Sequence, residues 1–221
     1  MTRGLDALRC YRPLPAVRPF HQCPAKWRIL DGANRSGKTL AGAVEVAAAV
    51  LGYREIVSPG APYKPENGRA QVIGLSMAHL GAVWRKLSRP GAFFCIYDPE
   101  TSELRAVRIS EDDPRELDPR DLELRDKWVE APPLIPKHCI RDISWHDKVK
   151  QIPDTVRLVT GWEISFVPSM GRVRQGEHYD LGWIDEAIQN DEHYYELCRG
   201  IVDFGQSTYR SRAFWTATPR R

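Results

Sequence analysis

The fold of this 221-residue chain is decided by the stretch Gly32-Ala33-Asn34-Arg35-Ser36-Gly37-Lys38-Thr39. It matches the pattern G-x-x-x-x-G-K-[ST], which arises by chance in roughly one chain in a hundred of this length. A short apolar run, 27–30, precedes the stretch, and an alanine-rich segment without proline follows it to about Gly52. The expected order is therefore strand, glycine loop and helix.

A glycine loop between a strand and a helix is suited to holding phosphate groups. Glycine lets the backbone wrap an anion without Cβ clashes, and the loop N–H groups and the helix N-terminus then face the anion. Lys38 would reach the β- and γ-phosphates, and the Thr39 hydroxyl would take one position on Mg²⁺. The residues predicted to bind nucleotide here are Gly32, Ala33, Asn34, Arg35, Ser36, Gly37, Lys38 and Thr39. The alternative is a glycine turn with an incidental lysine.

A second carboxylate on the magnesium side is expected at the end of a neighbouring strand. The mostly apolar residues 181–184 end at Asp185-Glu186. In this position Asp185 is predicted to orient Mg²⁺ through water, and Glu186 to polarise the attacking water. A water-activating glutamate favours an ATPase over a small-molecule kinase, which transfers phosphate to a bound acceptor. The alternative is a carboxylate pair that caps the next helix.

A third polar motif, Thr216-Ala217-Thr218-Pro219, ends the last predicted strand. Alone, it could be a strand terminus stopped by proline. Because it follows the strand with Asp185-Glu186 and one helix, it also fits a polar sensor beside the γ-phosphate. We therefore predict that Thr218 belongs to the site.

The rest of the pattern predicts alternating strands and helices. Strands are predicted at 70–75, 181–184 and 213–216, helices at 76–87, 110–131 and 191–204, and hairpins at 93–109 and 156–167. Residues 1–25, which are rich in proline and arginine, are predicted to form an extended lead-in. Alternation of this kind implies a mainly parallel sheet with helices on both faces.

Composition excludes several classes of protein. The net charge of +3 does not by itself imply a nucleic-acid partner, although the ends are basic and the middle, 100–130, is acidic. Five dispersed cysteines without C-x-x-C spacing argue against a disulfide framework and a zinc ribbon. No signal peptide is expected, and the longest apolar stretch, 40–51, is too short to span a bilayer.

Taken in order, the motifs resemble the ATPase domain of the large terminase subunit of tailed bacteriophages. The resemblance covers most of the chain, and the ordered set at these spacings is specific. The matching segments are Phe20-His21-Gln22, Gly32 to Thr39 (the Walker A loop), Lys127 to Pro136, Thr160 to Phe166, Arg174 to Glu186 (through Walker B) and Thr216 to Pro219.

The resemblance implies a fold and further site residues. The fold would be a three-layer α/β P-loop NTPase of the additional-strand, catalytic-glutamate type over 26–221, with a mainly parallel sheet and hairpin insertions. ATP and Mg²⁺ are the implied cofactors, and Gln22 takes the adenine-recognition position. Many members carry an arginine where this chain has Asn34. The arginine here is one step later, so the γ-phosphate role passes to Arg35. Thr218 would relay γ-phosphate loss.

The function implied by the resemblance is an ATP-hydrolysing motor domain that drives double-stranded DNA into the viral procapsid, in the host cell cytoplasm. The implied partners are double-stranded DNA, the portal protein, the small terminase subunit and further copies in a ring on the portal, with a monomer expected in isolation. Family members continue into a nuclease domain, which is expected to be absent from this chain.

The grip on DNA is expected to be weak and without sequence preference, because the net charge is small. The predicted contacts are clustered basic residues: Arg172, Arg174, Arg210 and Arg212. Two other functions stay open. One is a different nucleic-acid translocase such as a helicase, and the other is a non-hydrolysing module in which ATP gates assembly.

Overall fold

The protein is described here as a computed structural model that covers residues 6–33, 36–53, 56, 62–98, 103–107, 117–203 and 209–218. Within these ranges the strands are β1 Trp27–Asp31, β2 Arg69–Gly74, β3 Phe94–Asp98, β4 Glu103–Ala106, β5 Trp128–Glu130, β6 Ile140–Asp147, β7 Ile152–Leu158, β8 Glu163–Pro168, β9 Leu181–Asp185 and β10 Arg212–Ala217. The α-helices are α1 Ala7–Cys10, α2 Arg18–Gln22, α3 Lys38–Leu51, α4 Met77–Ser88, α5 Pro119–Glu123 and α6 Glu192–Gly200.

A seven-stranded sheet in the order β1-β10-β9-β2-β8-β7-β6 organises the described residues. The first five strands run parallel, and β7 and β6 continue the sheet antiparallel. This confirms the predicted mainly parallel sheet. Strand β10 lies between β1, which leads into the glycine loop, and β9, which ends at Asp185. The predicted hairpin of β3 and β4 is confirmed and belongs to a small sheet in the order β4-β3-β5.

The sheet has helices on both faces. Successive residues of each strand point to opposite sides, so one strand can contact both helical layers. In β9, Trp183 packs with the residues of α3 and α4, whereas Ile184 packs with Leu197 of α6. Helix α3 approaches the sheet closely at Gly42, where a Cβ atom would lie 2.5 Å from the Trp183 ring. The predicted three-layer arrangement is confirmed, and it fixes α3 directly over the β9–β10 pair.

Residues 108–116 lie outside the described ranges. In the described part, from residue 117 onward, the predicted helix over 110–131 is wrong. Asp118 caps the short helix α5, a 3₁₀ turn follows at Arg125–Lys127, and β5 then pairs with β3. Charged side chains left the periodicity ambiguous, and pairing between Trp128 and Ile96 decided the conformation. The sequence pattern also did not predict β6.

The lead-in, expected to be extended, contains the short helices α1 and α2. Asp6 caps α1 by accepting a hydrogen bond from the Leu8 N–H at 3.0 Å, and Pro19 lies in the first turn of α2. Leu8 and Phe20 are buried in the main core, so apolar contacts hold both helices against the domain. Among the described helices none is long and apolar enough to cross a membrane.

Candidate active site

The candidate site lies where β1, β10, β9 and β2 end, at the carboxyl edge of the parallel sheet, which is where open α/β sheets bind ligands. The glycine loop connects β1 to α3 at this edge. The Gly32 N–H continues the β1–β10 pairing by donating to the Ala217 carbonyl at 3.3 Å. Gly37 precedes the first helical residue with φ of 82°, a left-handed conformation that glycine adopts without strain.

Lys38 is buried and points back into its own loop. Its Nζ donates to the carbonyl oxygens of Gly32 and Ala33, both at 2.8 Å. An ammonium has three N–H donors, and described residues account for two of them. The hydroxyl of Ser36 is also buried, and within the described part of the chain it has no hydrogen-bond partner. The loop therefore presents a cation and an unpaired buried hydroxyl, a donor set that fits phosphate oxygens.

Asp185, the last residue of β9, is hydrogen-bonded to residues of β10 and α3. Its Oδ1 accepts hydrogen bonds from the Thr216 hydroxyl at 2.6 Å and the Thr39 hydroxyl at 3.3 Å. Thr216 lies directly opposite Asp185 in the β9–β10 register, and Thr39 is the second residue of α3. The carboxylate is almost fully buried. This arrangement places the Asp185 carboxylate beside the first turn of the helix that follows the loop, so an oxygen-preferring cation held by Thr39 would face it.

Glu186 is held in a strained backbone conformation, with φ of 64°. Non-glycine residues in this region cost about 1–3 kcal/mol and persist only where the surroundings enforce them. Here the Glu186 N–H donates to the Thr216 carbonyl, and the Trp215 indole N–H donates to the Glu186 carbonyl, both at 2.7 Å. The strain turns the side chain away from the line of β9 and toward the end of β10.

The carboxylate of Glu186 is bound by Thr218. The Thr218 N–H donates to Oε2 at 3.1 Å, and its hydroxyl donates to Oε1 at 3.0 Å. Thr218 therefore holds both side-chain oxygens of Glu186 at the end of β10. The sequence motif that ends β10 is thus in direct contact with the predicted general base.

The predicted site residues fall into four groups. Gly32, Ala33, Ser36 and Gly37 are the described residues of the glycine loop. Lys38, Thr39, Asp185, Glu186 and Thr218 are brought together at one edge, as the preceding contacts show. Asn34, Arg35 and Pro219 lie outside the described residues. Gln22, the predicted adenine contact, is the exposed last residue of α2, and its role stays a prediction.

A buried ion network joins the lead-in to the helix that follows the loop. Glu45 of α3 is fully buried and accepts hydrogen bonds from Arg28 of β1 and Tyr63, both at 2.7 Å. His21 Nδ1 lies 2.7 Å from the other carboxylate oxygen. Burial alone would raise the pKa of Glu45, but Arg28, His21 and Tyr63 outweigh it and lower this pKa to about 2. The network fixes α2, and with it Gln22, to α3.

His79 is a site residue that the sequence analysis missed. Its Nε2 lies 2.8 Å from Asp185 Oδ2, and this hydrogen bond raises the pKa of His79 against the lowering effect of burial. The sequence did contain a signal for His79. The helix predicted after the strand at 70–75 had to begin at the carboxyl edge of the sheet, where Asp185 lies. Its first turn, which contains His79, was therefore a place to look for polar side chains.

The four arginines predicted to grip DNA do not form one cluster. Arg212 is fully buried, with its guanidinium carbon 4.2 Å from the centre of the Tyr63 ring, so its predicted DNA contact is wrong. Arg210 is exposed but precedes β10, at the amino edge of the sheet. Arg172 and Arg174 follow β8 toward the carboxyl edge, where Arg174 pairs with Asp154 at 3.2 Å.

No protein-family model matches the sequence, and no curated protein matches it. Among solved structures the chain is similar to the crystal structure of the HK97 bacteriophage large terminase, at 15% identity and a TM-score of 0.48. The match covers 99% of this chain and 38% of that chain, so this chain spans less than half of that terminase's length.

Proposed function

We propose that this chain is a Mg²⁺-dependent ATPase domain of the terminase large-subunit type that powers the movement of double-stranded DNA into a procapsid. One observation carries the proposal: Thr39 and Thr216 hold Asp185 beside the loop helix, while Thr218 holds the adjacent Glu186. Phosphate binding, a metal-side carboxylate and a general base are then supplied by neighbouring residues at one sheet edge. A glycine turn with an incidental lysine would not require these contacts.

In the proposed reaction the loop N–H groups, Lys38 and Ser36 bind and orient the phosphates. Thr39 and Asp185 would hold Mg²⁺, which supplies charge neutralisation on the β- and γ-phosphate oxygens. Glu186 accepts a proton from the attacking water, and positioned general bases of this kind contribute about 10²- to 10⁴-fold to a rate. Thr218 binds Glu186 through both its N–H and its hydroxyl. It would transmit the loss of the γ-phosphate from Glu186 to β10.

The proposed setting follows from the resemblance in the motifs. Motors of this family act as rings, so further copies of the chain, the portal protein and the small terminase subunit are the proposed partners. The proposed location is the host cytoplasm, transiently on the procapsid. A ring also multiplies weak DNA contacts, because each bound subunit raises the effective concentration of the next.

Replacing Lys38 by alanine tests nucleotide binding. We expect Lys38→Ala to weaken binding of a fluorescent ATP analogue about 10- to 100-fold, because a charge-assisted hydrogen bond contributes about 1.5–3 kcal/mol. Titration of the analogue with purified protein measures the change. Lys26→Ala, which removes the same charge at the opposite end of β1, is the control and should bind as wild type does. Equal affinity in Lys38→Ala and wild type would rule out the proposed phosphate contact.

DNA binding is proposed to involve Arg172 and Arg174, which lie toward the same edge as the active site. We expect weak binding to labelled duplex, with an affinity that falls steeply as salt rises. Arg172→Ala should reduce the slope of log K against log salt by about one, and Arg210→Ala at the amino edge should leave it unchanged. Sequence-dependent binding, or binding that survives about 0.5 M salt, would contradict this electrostatic grip.

A further inference from the structure

The backbone places His79 against the end of β9 by three local features. Ser76 caps α4, and its hydroxyl accepts a hydrogen bond from the His79 N–H at 3.2 Å, which fixes His79 in the first turn. Gly74, the last residue of β2, lies opposite Asp185 in the parallel register. A Cβ atom at Gly74 would lie 3.2 Å from His79 Cδ2 and 2.9 Å from Leu80 Cδ2. Glycine at this position thus lets the first turn of α4 close over the strand end.

The imidazole then reaches the oxygen of Asp185 that the threonines do not bind. Thr39 and Thr216 both donate to Oδ1, and His79 Nε2 lies 2.8 Å from Oδ2. Contacts to one oxygen alone leave the carboxylate free to rotate about its terminal bond, which is a soft torsion. A partner on the second oxygen removes that freedom.

His79 and Asp185 differ in their exposure to solvent. The side chain of Asp185 is 1% exposed, whereas that of His79 is 24% exposed. The pair therefore joins a buried carboxylate to a partly exposed imidazole. Partners of this kind, which hold a ligating carboxylate in place, are worth about 10- to 100-fold in metal affinity or activity.

We propose that His79 is a positioning residue that holds the Asp185 carboxylate in the orientation needed to bind the divalent cation, and so sets the Mg²⁺ affinity of the site. This inference rests on the proposed function, because it assigns Asp185 to the metal. It adds a fourth element, α4, to the α3, β9 and β10 contributions. His79 touches neither substrate nor the attacking water in this role.

The test compares His79→Ala, His79→Gln and wild type by binding of a fluorescent ATP analogue at increasing Mg²⁺, and again in excess EDTA. We expect His79→Ala to raise the Mg²⁺ concentration for half-maximal binding about 10-fold or more. Binding in EDTA should not change, since Lys38 and the loop are intact. Glutamine can donate an amide N–H to Oδ2, so His79→Gln should recover most of the loss. His138→Ala, at an exposed histidine of a distant 3₁₀ turn, is the control and should match wild type.

The outcomes separate this inference from the proposed function. If wild type responds to Mg²⁺ and His79→Ala responds identically, the positioning role is overturned while the ATPase proposal stands. If His79→Ala loses binding equally in EDTA and in Mg²⁺, the residue acts on the fold of the site, and the role is again overturned. If nucleotide binding to wild type does not respond to Mg²⁺, the proposed function fails and this inference fails with it.

Discussion

Glu186→Gln is expected to lower the rate of ATP hydrolysis by about 10²-fold or more while ATP binding stays near that of wild type. Glutamine keeps the size of the side chain and can still accept a hydrogen bond from Thr218. It has no carboxylate to take the proton of the attacking water. Glutamate and glutamine are both non-glycine residues, so the energetic cost of the left-handed backbone conformation at this position is the same for both.

The measurement is phosphate release at saturating Mg²⁺ and ATP, beside a binding titration of the same preparation. Glu192→Gln is the matched control, since Glu192 is an exposed glutamate in the first turn of α6 and makes no contact with Thr218 among the described residues. It should retain wild-type turnover. Turnover by Glu186→Gln at the wild-type rate would remove Glu186 from the role of general base.

Glu45→Gln is expected to reduce the free energy of unfolding by about 3–5 kcal/mol, because it leaves the buried Arg28 guanidinium without its counter-charge. Arg28 and Glu45 are both buried, and their side chains are 2.7 Å apart. Urea unfolding followed by circular dichroism measures the loss. The double variant Arg28→Met/Glu45→Leu removes both charges and should be more stable than Glu45→Gln. A loss below about 1 kcal/mol in Glu45→Gln would show that the network does not support the fold.

The same carboxylate gives the stability a defined pH dependence. The pKa of Glu45 is lowered to about 2 in the fold from an ordinary value of 4.5. The unfolded chain therefore binds a proton at a higher pH than the folded chain, and the stabilisation is complete above about pH 4.5. This stabilisation is lost as the pH falls from about 4.5 to about 2. The charged and polar groups that face the Glu45 carboxylate are those of Arg28, His21 and Tyr63. Glu45→Gln should show a shallower decline over this window.

The parts of the candidate site that could be located from the sequence are those with local signals. The loop from Gly32 to Thr39 has a fixed spacing, and Asp185 follows a short apolar strand, so both positions could be read along the chain. Parallel register then places Asp185 opposite Thr216, and this pairing could also be anticipated from the strand order. The predicted sheet followed from the same alternation of apolar strands and helices.

The parts that sequence reasoning missed depend on contacts between distant segments. His79 reaches Asp185 only because β2 lies next to β9 and because Gly74 has no side chain to block α4. Arg212 was predicted to contact DNA, but its guanidinium packs on Tyr63, which comes from a loop far away in the chain. The charged segment predicted as a helix over 110–131 instead contains β5, because pairing of β5 with β3 set its conformation.

Phosphate release by the wild-type protein, measured with Mg²⁺ and ATP over a range of protein concentrations, tests whether this chain is an ATPase. We expect phosphate release that requires Mg²⁺ and is lost in Lys38→Ala. The specific activity should rise steeply with protein concentration as subunits assemble. The same protein concentrations should be checked by light scattering, so that any rise can be matched to assembly. The contradicting result is no release at any concentration while ATP still binds, which would identify a module in which ATP gates assembly without being hydrolysed.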